Sequence, residues 1–162
     1  MRRVVSKEDA EREILNRFVV AYRKQFGVEL MVLEHRDKPD FAVSEGTGGR
    51  VLGIEVTGVY QDADEAISEY GTQDGEIEFE GSIDKLLASL NDGLAEKTQK
   101  VRQYEFAGQI WLVILIASPI YNSKIDIQSF GTRLVVPDNL FEKIWLIIRN
   151  QSDYSPELYC LK

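Results

Sequence analysis

Lys38-Pro39-Asp40-Phe41-Ala42-Val43 and Val51-Leu52-Gly53-Ile54-Glu55-Val56-Thr57, joined by a polar stretch with Gly46, Gly48 and Gly49, read as two apolar strands and a hairpin turn. An acid follows a proline at the start of the first strand, and a second acid sits inside the other. Alternation sets Ile54 and Val56 on one face of the second strand, Glu55 and Thr57 on the opposite face. A carboxylate inside an apolar strand needs a partner, because burying it alone is costly. If the strands pair, Asp40 and Glu55 point to the same end of the sheet. Two carboxylates there can share a divalent cation, and such a cation activates water against a phosphodiester. Each acid taken singly also has a plainer reading: Glu55 in water on an edge strand, Asp40 in an ordinary Pro-Asp turn.

Outward from this hairpin the periodicity is clear. Ser6-Lys7-Glu8-Asp9 is a helix start with Ser6 as N-cap, and the stripe Leu15, Phe18, Val19, Tyr22 and Phe26 carries the helix to Gly27. Residues 28–33 read as a first strand, 41–43 as a second and 51–57 as a third. Ser82 is the expected cap of a long helix to about residue 106, with the stripe Ile83, Leu86, Leu87, Leu90, Leu94 and Val101. Residues 110–117 are so uniformly apolar that they predict a central strand covered on both faces. A loop is expected over 119–132, a short strand or edge segment at 133–136, and closing strands at 143–148 and 158–161. The order predicts one α/β domain over residues 1–162, with a mixed sheet flanked by helices. The first three strands form a meander, and the second helix crosses over to lay 110–117 beside the third.

Both helices carry a charge where their stripes should be inert. With Leu94 at 0° on a helical wheel, Leu90 falls at about −40°, Leu86 at about −80° and Lys97 at about −60°, inside the stripe. Lys100 falls at about −120°, on its flank. A lysine on such a stripe either snorkels to water or meets an anion. With Leu15 at 0°, Glu11 falls at about −40°, again among the apolar positions. Its alternative is a favourable contact with the helix dipole. One shared site would account for Asp40, Glu55, Lys97 and Glu11 together.

The net charge of −8 argues against a generic nucleic-acid binder. Its distribution softens that objection: eight acids and no Lys or Arg lie between Asp62 and Glu80, leaving 19 acids against 19 bases elsewhere. This acidic excursion, at about residues 61–81, reads as a solvated surface segment; a sharper alternative is that it repels nucleic acid until a basic protein partner neutralises it. The longest apolar run is too short for a bilayer, the N-terminus has no secretory apolar core, and a lone Cys160 cannot form an internal disulfide. A cytoplasmic protein with no membrane partner is expected. Cys160 reads as a small buried residue, Trp111 and Trp145 as sheet-covering core, and His35 as a surface loop residue. Gly46-Thr47-Gly48-Gly49 lacks the Lys-Ser/Thr ending of a phosphate loop and precedes a strand, which rejects nucleotide binding there.

At these residues the chain resembles the PD-(D/E)XK nuclease superfamily. Lys38-Pro39-Asp40-Phe41, the hairpin and Gly53-Ile54-Glu55-Val56-Thr57 are similar to its core motif, and the order over residues 6–117 is similar to its restriction-endonuclease-like αβββαβ core. The resemblance implies Asp40 and Glu55 as metal ligands, with the backbone carbonyl of Val56 as a third. It implies Glu11 as the supporting helical acid. It also implies Mg2+ or Mn2+ as cofactor, which all-oxygen ligation suits, and nucleic acid, in particular DNA, as substrate. One departure matters: the usual lysine two residues after the strand acid is Thr57 here. Some members place that lysine on the following helix, which Lys97 fits, with Lys100 as second choice. The alternative is a non-catalytic module on the same fold, using its acidic face to bind protein as an inhibitor or immunity protein does.

Overall fold

The computed structural model describes residues 6–59 and 83–162. The acidic excursion and the Ser82 cap lie outside the described residues. The chain begins with α1 (Lys7–Phe26), where the Ser6 side chain accepts the Asp9 N–H at 3.1 Å. Gly27 closes the helix at φ 71°, a left-handed conformation that needs no Cβ, and its N–H donates to the Arg23 carbonyl at 2.8 Å. Strands β1 (Leu30–His35), β2 (Phe41–Glu45) and β3 (Val51–Val59) follow, then α2 (Ile83–Lys100), β4 (Ile110–Ile116), a short α3 (Lys124–Ser129), β5 (Lys143–Arg149) and β6 (Pro156–Cys160).

The six strands form one mixed sheet in chain order. β1, β2 and β3 are an antiparallel meander, β4 runs parallel to β3, β5 runs parallel to β4, and β6 returns antiparallel. The crossover expected between the third and fourth strands is therefore present. Helices cover both faces. Ile14, Leu15, Phe18 and Ala21 of α1 pack on Ile54, Val56, Trp111, Val113 and Trp145. Leu86, Leu87, Leu90 and Leu94 of α2 lie on the opposite face, with Leu112, Ile114, Ile144 and Leu146. Every residue of β4 is buried, as a central strand with two covered faces requires.

Gly53 sets how closely the layers approach. A Cβ there would lie 2.6 Å from Pro39 Cγ and 3.1 Å from Phe106 Cδ1. The glycine lets the Pro39 ring and the Phe106 ring close over β3, two residues before Glu55.

Several local expectations are corrected. The second helix stops at Lys100, because residues Val101–Gln103 tighten into a 3-10 turn and Tyr104 is extended (φ −77°, ψ 133°). The expected 119–132 loop contains α3, started by a reciprocal cap between Ser123 and Asp126. Residues 133–136 are not a strand; Asn91 holds them instead, donating to the Arg133 carbonyl at 2.9 Å and accepting the Val135 N–H at 2.9 Å. Cys160 is exposed rather than buried, because it ends the edge strand β6. Trp111 and Trp145 are buried against α1, as expected. Among the described residues no helix is long and apolar enough to cross a membrane.

Candidate active site

The two hairpin acids meet. Antiparallel register sets Phe41 opposite Ile54, so Asp40, just before β2, lies beside Glu55. The Asp40 N–H donates to Glu55 Oε1 at 3.2 Å, and the Val56 N–H donates to Asp40 Oδ2 at 3.0 Å. Each acid thus caps backbone of the other's strand. Both are buried, at 9% and 4% exposure.

Alternation on β3 explains what completes the pair. Ile54 and Val56 point to α1, so Glu55 points to the α2 face. There Lys97, from the last turn of α2, places Nζ 3.0 Å from Glu55 Oε2. The lysine on the apolar stripe is therefore paired with the acid in the apolar strand. Tyr104, just beyond the 3-10 turn, donates its hydroxyl to the same Oε2.

Burial pushes Asp40 upward, and hydrogen bonding to Glu55 with the repulsion of its charge adds to this, taking the carboxyl up to about 8. Glu55 is pushed up by burial as well, but hydrogen bonds from Asp40 and Tyr104 and the charge of Lys97 outweigh that and hold it below the ordinary carboxylate range. Tyr104 is raised by burial and by its bond to Glu55, so it stays a donor. At neutral pH these opposed shifts favour one shared proton on the pair, toward Asp40, with the negative charge toward Glu55.

These groups line a cleft of about 390 Å3 together with Glu11, Thr57 and Lys100. Glu11 approaches from the α1 side. Its Oε2 lies 3.1 Å from His35 Nε2 and its Oε1 3.8 Å from Lys7 Nζ, and its charge contributes to raising Asp40. Lys100 is turned outward to Glu96, at 2.6 Å. Thr57 lines the cleft but brings no charge. Among the described residues no three His, Cys, Asp or Glu side chains are grouped so as to hold a metal ion.

Two members of this cluster escape sequence reasoning. His35 is not a loop residue: it ends β1, and its ring lies 5.0 Å from that of Phe41, tilted by 56°, while holding Glu11. Tyr104 falls at about −80° on the α2 wheel, next to Lys97, a signal visible only if the helical phase is carried past the helix end.

Chemically, Asp40, Glu55, Lys97 and Tyr104 give the cleft two adjacent carboxylates, one ammonium and one phenol within bonding reach of one another. No protein family, curated protein or solved structure matches this chain.

Proposed function

We propose that this chain is a divalent-metal-dependent nuclease on a PD-(D/E)XK-type, restriction-endonuclease-like core, hydrolysing phosphodiester bonds in nucleic acid, with DNA as the first candidate. The observation that carries the reading is the convergence of Asp40, Glu55 and Lys97 in one cleft from three separate elements. The order of α1, the meander, α2 and β4 supports it.

The donor set fits a hard cation. Asp40 and Glu55 supply carboxylate oxygens, and the Val56 carbonyl is the third protein ligand the reading assigns; Mg2+ keeps several waters, so so few protein ligands suffice. When bound, Mg2+ or Mn2+ would lower the pKa of a water and take up charge on the scissile phosphate. The rest falls to the chain's own groups. Asp40 gives up its proton to become a ligand. Lys97 replaces the lysine absent at Thr57, with its ammonium held at the acid pair to orient water and offset phosphate charge. Tyr104 keeps Glu55 ionised and fixes its rotamer. Glu11 supports Asp40 from the α1 side, itself steadied by His35.

A second reading is a protein-binding module without catalysis. It is favoured by Glu55 having both oxygens satisfied inside the chain. Cleavage of single- and double-stranded DNA with Mg2+ or Mn2+ separates the two. The nuclease reading expects metal-dependent cutting by the wild type that Glu55→Gln abolishes. Equal activity or equal inertness of the two proteins refutes it.

A further inference from the structure

The parallel strands β3, β4 and β5 end on one edge of the sheet. Two adjoining cavities lie there. The first, about 250 Å3, is lined by Arg17 of α1, Ser118 and Asn122 from the turn after β4, Arg149 at the end of β5, and Tyr154. The second, about 390 Å3, shares Asn122, Arg149 and Tyr154 with it and adds Asp126, whose carboxylate is taken up by Ser123 in the α3 cap. The first cavity presents two guanidiniums and no carboxylate, in a chain of net charge −8.

Arg17 is tethered to Glu13 at 2.6 Å. Arg149 is exposed at the strand end and has no ion-pair partner among the described residues. Tyr154 is 72% exposed, with its backbone at φ 60° and its N–H on the Asn150 carbonyl at 2.9 Å. An exposed aromatic ring and an exposed arginine lining one concave site are the makeup of a single-strand platform, where phosphates meet cations and bases stack.

This edge is continuous with the cleft. Ile14 lines the cleft and Arg17, one helical turn on, lines the cavity. Gly58 lines the cleft, and the next residue, Val59, accepts the N–H of Ala117, which lines the cavity. Glu55 is level with Leu112 and Ile144, so Arg149 lies five residues along and two strands across, roughly 20 Å away. We propose that the carboxyl edge of β4 and β5 is a second nucleic-acid subsite: Arg149 and Arg17 hold backbone phosphates of a single strand whose other part lies in the cleft, and Tyr154 stacks one of its bases. The subsite rests on the nuclease reading for the far end of that strand.

The test is fluorescence anisotropy with a labelled single-stranded DNA of about 12 nucleotides, ample to span both places at 3.4 Å per stacked phosphate. Chelator is present, so nothing is cut. Arg149→Gln and Tyr154→Ala are each expected to weaken binding about tenfold, and Arg149→Gln to flatten the slope of log affinity against log salt by about 0.7. Arg149→Lys, which keeps the charge, restores the slope. Circular dichroism checks that each variant is folded. Unchanged affinity and slope in Arg149→Gln overturn the subsite, as does a wild type that binds no single strand. Arg149-dependent binding in a protein that never cleaves with Mn2+ keeps the subsite and removes the nuclease reading.

Discussion

Asp40 is biased to hold its proton at neutral pH because Glu55 beside it is biased to be ionised. Glu55 has Lys97 and Tyr104 to stabilise its charge, whereas Asp40 has burial and the Glu55 anion against it. The consequence for stability has a definite sign. The unfolded chain releases the Asp40 proton near pH 4, and the folded chain holds it to about 8. Between those values the native state binds more protons, so this group makes stability fall as pH rises. Glu55, with its lowered value, contributes stability at neutral pH that is lost only in acid. Urea unfolding without metal should therefore show Asp40→Asn gaining on the wild type from about pH 5 to pH 8. Parallel curves for the two proteins would contradict the assignment. Lys97 is tested differently. Its side chain is 20% exposed and its partner 5%, so Lys97→Met strands a buried charge and should cost about 3 kcal/mol. In a cleavage assay it should lose about a hundredfold or more, while Lys100→Met, altering a residue bonded outward to Glu96, should stay near wild type. At this scale Glu55, Glu11 and Lys97 were legible because each broke an apolar pattern, and Asp40 because it opens the strand that pairs with the one carrying Glu55. Tyr104 broke none, since tyrosine is at home on a half-buried face, and His35 was hidden by the strand end being read as loop.

At the scale of elements, the hairpin is what aligns the acids. Its closeness to the rest of the sheet depends on Gly53, over which Pro39 and Phe106 close. Gly53→Ala puts a methyl 2.6 Å from a proline ring that has little room to yield, and should destabilise by about 1–3 kcal/mol. Denaturant unfolding reads that loss; a variant as stable as wild type would show the contact to be soft. The strands and two long helices were readable from periods of two and of 3.6, because each buries a continuous stripe. The 3-10 ending of α2 was not, since Val101 continues the apolar phase while the backbone tightens. The short α3 was missed for its six residues, although Ser123 and Asp126 spell its cap. The 133–136 segment looked like a strand because its apolar residues resemble one, but its backbone bonds to Asn91 instead of a neighbouring strand.

Across the whole molecule, the cleft exists only where α1, the hairpin and α2 come together. Glu11 arrives from one covered face of the sheet and Lys97 from the other. The α/β layout with its mixed sheet could be read from the order of elements. The meeting of those side chains required the register of β2 on β3 and the phase of α2 over β3, neither of which a linear pattern encodes. The central claim, that Asp40 and Glu55 form a seat for a divalent cation, is tested most directly by calorimetric titration of Mn2+ at pH 7 in buffers of different protonation enthalpy. The account predicts one saturable site per chain, release of about one proton as Asp40 becomes a ligand, and loss of the site in Asp40→Ala. No saturable heat in the wild type, or an unchanged isotherm in Asp40→Ala, would contradict it.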